Sequence, residues 1–351
     1  MDTKHNYLTT FKAIGIILMV VGHSGCPEYF NRMIYYFHMP LFFFVSGYFL
    51  NVNGGGRTFV AKKLRGIYLP YLKWSLSFLL LHNFLFDIGI YNEFYGYNGN
   101  VFYVYDLHDL FVRFCFIVFT MDRHEPVLGG FWFLKTLFLA SLMVRLFIKL
   151  ASYLTKHSRM KVTFLVCILG LLLSKFFEVN IPFIGNLSII FLGAVFYLIG
   201  YLYRHIENES FYSRYSLFVS CVIMLFFTAI YHHMSMFCSF NDVIIYIIVA
   251  CNGMFCTLGI CYHIEKRGVG LYYIGKNTLQ ILALHFMSFK IVSIVVILIY
   301  NLPFEMLSEF PVIKYHQEIT WPIYSLIGIS IPLLIKVGYD KIKPYMCFKT
   351  S

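Results

Sequence analysis

The chain has 351 residues, of which 59% are hydrophobic and only 13% charged, and its mean hydropathy is +0.71. A soluble domain is about a quarter charged, so the composition describes an integral membrane protein with little room for a soluble domain. Its 28 basic and 17 acidic side chains leave a formal net charge of +11, but the basic residues cluster briefly between apolar runs, which orients membrane helices and does not read as a nucleic-acid surface.

Apolar runs fall at about 11–27, 33–50, 68–90, 107–121, 131–150, 162–178, 185–203, 215–235, 242–262, 276–300 and 320–338. Most approach the roughly 20 residues that a spanning helix needs, and the alternation of an outer-membrane barrel is missing. The fold class is therefore all-α, a polytopic membrane bundle forming one domain over 1–351. Lys4 and Lys12 ahead of the first run mimic a secretory leader. His23 inside the run and Pro27 directly after Cys26 mark it instead as a retained first helix. Most of the nine cysteines (Cys115, Cys167, Cys221, Cys251, Cys256 and Cys261 among them) sit within apolar runs without metal-ligand spacing, so no metal and no cysteine chemistry is expected.

Loop charge sets the expected topology. The 51–67 turn carries Arg57, Lys62, Lys63 and Arg65 and no acid, which places it in the cytoplasm. The 91–106 loop, with Glu93 and Asp106 and no Lys or Arg, then lies outside. Lys149, Lys156, Arg159 and Lys161 return to the cytoplasm only if 107–121 does not span. Lys266 with Arg267, and Lys336, Lys341, Lys343 and Lys349, then also fall inside. The expectation is about ten transmembrane helices, a re-entrant or interfacial segment at 107–121, and both termini cytoplasmic.

Ionisable groups within the hydrocarbon region mark function by default, and Lys12, His23, Arg32 and His38 share the stretch 8–50. Lys12 and His23 are eleven residues apart, about 20° from alignment on one helical face and roughly 16 Å apart along the axis. Lys12 is thus at the cytoplasmic mouth and His23 in the outer half. His38 enters the next helix from outside at a similar depth, two residues before Pro40, a potential kink. Ser46 and Gly47 are small residues suited to close packing, with Ser46 as a nucleophile the less favoured alternative. Histidine is the side chain best matched to general-base work near neutrality, and a cation at the mouth suits a phosphate-bearing donor. Group transfer across the bilayer fits these features. A proton-coupled transporter or flippase of a glycan or lipid-linked sugar fits them too. Lys73 and Lys175, near helix ends, are expected to snorkel. The tyrosines of the 91–105 loop, Tyr91, Tyr95, Tyr97, Tyr103 and Tyr105, suit either sugar stacking or interfacial anchoring.

Several motifs now add a resemblance. KAIGIILMVVGH, with Lys12 and His23, resembles the basic-x10-His signature of membrane acyltransferase family 3, and looks closest to its fucose 4-O-acetylase-like branch. FHMPLFFFVSGYFL (37–50), KKLRGIYLPYLKW (62–74), GFWFLKTLF (130–138) and YIGKNTLQILALH (273–285) resemble further family motifs in the same order. The family usually has an aspartate three residues before the basic position, where this chain has Thr9.

The resemblance implies a membrane O-acetyltransferase of the bacterial cytoplasmic membrane. It would carry acetyl from cytoplasmic acetyl-CoA, with no permanently bound cofactor, to a hydroxyl of a polysaccharide or lipid-linked glycan. His23 and His38 are the expected catalytic residues, with His23 as base. Lys12, Arg57, Lys62, Lys63 and Arg65 are expected to hold the donor, and Arg32, Trp132, Asn277 and His285 the acceptor.

Overall fold

The computed structural model describes residues 6–94, 103–155, 158–231, 234–265 and 269–347. Tyr95 and Tyr97, and the topology markers Lys156, Lys266, Arg267 and Lys349, lie outside the described residues. With no water in hydrocarbon to satisfy backbone groups, apolar runs of this length close their hydrogen bonds internally as helices.

α1 (Asn6–His23) and α2 (Glu28–Tyr48) form the first hairpin. α3 (Gly56–Lys63), one π-helical turn (Leu64–Tyr68) and α4 (Leu69–Asp87) run on continuously. α5 (Leu107–Thr120) is followed by a 3₁₀ turn (Pro126–Phe131) leading directly into α6 (Trp132–Leu154). α7 (Arg159–Phe176) and α8 (Leu187–Ile206) are joined through a minimal β-ribbon in which Asn180–Ile181 pairs with Gly185–Asn186. α9 (Arg214–Ile230), α10 (Val243–Ile264), α11 (Val269–Lys276), α12 (Thr278–Tyr300) and α13 (Gln317–Cys347) complete the bundle. Every apolar run of the sequence carries a helix. The first ends earlier than expected, at His23, because Gly25 adopts a left-handed conformation (φ +85°) and Pro27 follows it. α2 continues through Pro40 as one helix.

The protein is an all-α membrane protein. Among the described residues, five helices are long and apolar enough to cross a membrane, and α1 and α9 are apolar but shorter. Its burial is inverted relative to a soluble domain: Leu80, Phe119 and Leu298 are at least 74% exposed while His82, His285 and Lys290 are buried.

α2 is the hub of the bundle, packed against α1, α6, α8, α9 and α10. Its tightest contact is with α8. A Cβ on Gly47 would stand 1.7 Å from the Tyr197 carbonyl oxygen, and one on Gly200 would stand 1.9 Å from that of Phe44. Two backbones meet here with no room for a methyl, which is the small-residue packing of membrane helices. At the ends of these helices Glu207 accepts from the hydroxyls of Tyr7 (2.5 Å), Tyr48 (2.8 Å) and Tyr212 (3.2 Å), fastening α1, α2 and α8 to the turn before α9.

The segment 105–125 leaves one end of α4 and comes back to it. The Asn83 side chain binds both backbone groups of Tyr105 (2.8 Å each), and His82 binds the Glu125 carboxylate (3.0 Å). Between these anchors the segment descends α4 far enough for Tyr68 to reach the Val118 carbonyl (2.6 Å) and Tyr71 that of Asp122 (2.8 Å). α5 itself has 14 residues, about 21 Å of rise against a hydrocarbon core of about 30 Å. The segment thus starts and ends beside the same end of α4. His82 Nε2 faces the Tyr103 carbonyl (3.0 Å), so it carries a proton, while Nδ1 faces a carboxylate. Tyr91 donates to the same carboxylate (3.1 Å). Tyr105 stacks on His82 at 3.4 Å. These tyrosines serve as fasteners in the described part of the loop.

Other charges expected to snorkel behave differently from one another. Lys175 is buried and donates to the Cys238 carbonyl, correcting the snorkelling reading, because a carbonyl within reach replaces the water it would otherwise seek. Lys73 lies 5.5 Å from the rings of both Trp74 and Tyr339. Arg145 binds the carbonyls of Val52 (2.6 Å) and Gly54, pinning the turn between α2 and α3.

Candidate active site

Two cavities of about 490 and 510 Å³ lie along α1, one lined by histidines and the other by lysines. In the first, α1 supplies His23 and α2 supplies Tyr35 and His38, three residues apart and hence on one face. His38 Nδ1 lies 2.7 Å from the Ile34 carbonyl. A carbonyl only accepts, so the proton is on Nδ1 and the Nε2 lone pair is fixed. Tyr35 bridges the histidines. Its hydroxyl is 3.4 Å from His23 Nδ1, and its ring stands edge-on to His23 (6.2 Å) and to His38 (5.0 Å).

His285 backs this group. Its ring stacks on that of His23 at 5.7 Å, and its Nδ1 is held by the carbonyls of Leu282 (3.0 Å) and Ile281 (3.2 Å). The proton again sits on Nδ1, leaving Nε2 buried as an acceptor with no hydrogen-bond partner among the described residues. Three neutral-capable imidazoles thus meet, two of them in fixed tautomers with a free lone pair. Such a group suits proton abstraction from a hydroxyl.

The other walls are aromatic. Trp132, packed on Phe237 at 5.1 Å, lines the cavity with Phe286 and Phe310. Arg123 is the guanidinium in the lining, and it donates to the Gly129 carbonyl (2.7 Å). That bond fixes the 3₁₀ turn whose Gly130 approaches Leu282 so closely that a Cβ would stand 2.7 Å from its Cδ1. Among the described residues no Asp or Glu lines the cavity.

The second cavity takes Lys12 from α1, Ser46 from α2 and Lys62 and Lys63 from α3. Lys63 donates to the Ser46 hydroxyl (2.9 Å) and lies over the rings of Tyr197 (5.2 Å) and Phe59 (5.5 Å). Ser46 therefore orients a cation at a cavity wall, beyond the packing role that its size suggested. Lys12 makes no ion pair among the described residues. At Thr9, where the family's aspartate would stand, α11 packs directly on α1: a Cβ on Gly275 would come 2.0 Å from the Thr9 carbonyl oxygen. Among the described residues the cavity wall has lysines, no carboxylate and a largely apolar remainder. It can take an anionic head followed by an apolar chain.

Of the residues singled out from the sequence, His23, His38 and Trp132 line one cavity with His285 behind them, and Lys12, Lys62 and Lys63 line the other. Arg57 and Arg65 are exposed beside the lysine cavity without lining it. Arg32 pairs with Glu28 one helical turn away, and Asn277 donates to the Tyr273 carbonyl (2.9 Å) at the start of α12; neither lines either of these two cavities. Sequence reasoning missed Tyr35, Arg123, Phe286 and Phe310. Tyr35 was signalled by its spacing from His38, and Arg123 by the polar quartet Asp122–Glu125 between two apolar runs. Phe286 and Phe310 carry no signal in a chain with 39 phenylalanines. Among the described residues Asp106, His108 and Asp109 bring potential metal ligands within 4.8 Å of one another, away from both cavities and largely exposed.

The fold and these cavities define a helical membrane protein with a basic pocket and a histidine pocket in one bundle. The acyltransferase-domain family model matches residues 5–337, and the chain belongs to acyltransferase family 3: it is a membrane acyltransferase. Neither a curated protein nor a solved structure matches it.

Proposed function

We propose that the protein is an O-acetyltransferase that takes acetyl from cytoplasmic acetyl-CoA and places it on a hydroxyl of a cell-envelope or exported glycan. The observation that carries this reading is the adjacency of a lysine-lined and a histidine-lined cavity along one helix. The donor's phosphates rest on Lys12, Lys62 and Lys63, with Arg57 and Arg65 raising the local potential, and its pantetheine arm runs toward His23. The sugar ring lies among Trp132, Phe237, Phe286 and Phe310, whose faces suit its apolar C–H side.

His23 takes the proton of the attacking hydroxyl, and the oxygen adds to the thioester carbonyl carbon. His38, whose Nε2 only accepts, orients a neighbouring hydroxyl of the ring. As the intermediate collapses the C–S bond breaks, a C–O ester bond remains, and the proton held by His23 passes to the departing CoA thiolate. Envelope glycan from cells carrying His23→Ala in place of the wild-type protein is expected to lack the acetyl ester; an unchanged acetyl content removes the proposed base.

The chain sits in the bacterial cytoplasmic membrane with about ten spans and both termini in the cytoplasm. The return of 105–125 to the same end of α4 supports that count. Reporters fused after Asn100 and after Gly129 are expected on the same, outer side. Reporters on opposite sides contradict the ten-span arrangement.

A pH dependence follows for the donor. Burial pushes the Lys63 ammonium down to about 8, so Lys63 is a cation below that pH and neutral above it. The KM for acetyl-CoA is expected to rise as pH climbs through about 8. Lys63→Arg, which keeps its charge, removes that rise. A wild-type KM that stays flat across the same range excludes Lys63 from donor binding.

A further inference from the structure

The two cavities meet end to end. α1 gives Lys12, Ile16 and Met19 to the lysine cavity, and Met19, Gly22 and His23 to the histidine cavity. α2 gives Met39, Phe42 and Val45 to the first, and Met39, His38 and Tyr35 to the second. α12 gives Thr278, Leu279 and Leu282 to the first, and Leu282 and Phe286 to the second. Each helix thus contributes one residue common to both. Met19 is 2% exposed, Leu282 6% and Met39 9%, so this shared boundary is a buried apolar partition.

A thioester arriving from the lysine side has to bring its carbonyl carbon beside His23, and the acyl group must then lie against this partition. Its three members differ in how far they can yield. Leu282 is backed by Gly130, where even a methyl would collide with its Cδ1. The two methionines are unbranched and adapt their shape readily. Room therefore opens from the methionine side only, and it is narrow.

We infer that Met19, Met39 and Leu282 form an acyl-binding neck that admits the acyl group of the donor and restricts it to a short chain. The inference rests on the acyltransferase reading above. The neck exchanges no proton and forms no bond; it discriminates by size. Each methylene that a hydrophobic pocket accepts or rejects is worth about 10–200-fold in specificity.

The test uses the full chain in nanodiscs with isolated envelope glycan as acceptor and follows release of free CoA thiol from acetyl-, butyryl- and hexanoyl-CoA. The wild-type protein is expected to prefer acetyl- over hexanoyl-CoA by at least about a hundredfold in kcat/KM. Met39→Ala and Met19→Ala are each expected to shrink that ratio by about tenfold or more, while Met39→Leu, close in volume, keeps it. A general structural defect lowers all three rates together and leaves the ratio in place. An unchanged ratio in both alanine variants, with acetyl-CoA still consumed, overturns the neck alone. A wild-type protein that releases thiol from none of the three overturns the acyltransfer reading on which the neck depends.

Discussion

His23→Gln is expected to lower acyl transfer by about 10²–10⁴-fold, the range that a positioned general base contributes, with little change in the KM for acetyl-CoA. In the proposed reaction the donor's phosphates bind at the lysine cavity, so removing an imidazole from the other cavity takes away an interaction made in the transition state and leaves ground-state donor binding intact. His38→Gln is expected to do less damage. His38 Nε2 is fixed as an acceptor by the bond from Nδ1–H to the Ile34 carbonyl, and an amide oxygen reproduces acceptance though not proton abstraction. The two glutamine variants therefore separate base from orienting residue in a single kinetic comparison. Equal losses in both contradict the assignment, and wild-type activity in His23→Gln removes His23 from the chemistry.

Gly47→Ala and Gly200→Ala are expected to prevent the bundle from assembling. In each case the added methyl meets a carbonyl oxygen of the facing helix, at 1.7 and 1.9 Å, and a backbone group has no rotamer by which to escape. Overpacking commonly costs about 1–3 kcal/mol; a backbone-to-backbone clash on the hub helix lies at or above the upper end. The measurement is the yield of monodisperse protein in detergent and its thermal unfolding. Gly56→Ala is the control, because its Cβ would meet nothing within 4 Å. Wild-type unfolding in Gly47→Ala contradicts the α2–α8 contact.

The architecture was legible because hydrocarbon leaves so few options. Every apolar run became a helix, and the shortest of them, 107–121, became the 14-residue α5. What the sequence could not reveal is how the helices cluster. α3 and α11 are short helices with no long apolar run to announce them. The site was legible where it rests on ionisable groups, since Lys12, His23 and His38 stand out in apolar surroundings. Arg32 stood out in the same way, yet it is spent on Glu28 one turn away, a local pairing that competes with any role in a cavity. His285 was visible as a motif position, but its stacking on His23 depends on α12 packing beside α1, which no spacing encodes. Met19 and Met39 looked like ordinary core because their significance is positional. The His82–Glu125 pair joins residues 43 apart, a contact that no local spacing encodes.

The central claim is that a donor on one side of the membrane acylates an acceptor on the other through His23. The most direct measurement places the protein in sealed vesicles with isolated envelope glycan inside and acetyl-labelled acetyl-CoA outside, and sorts oriented protein by a tag on the lysine-cavity face. Label is expected on the enclosed glycan with wild-type protein facing its lysine cavity outward, and none with His23→Gln. Transfer that persists in His23→Gln, or glycan that crosses the membrane while acetyl-CoA stays intact, would contradict it, and the second result would mark a transporter.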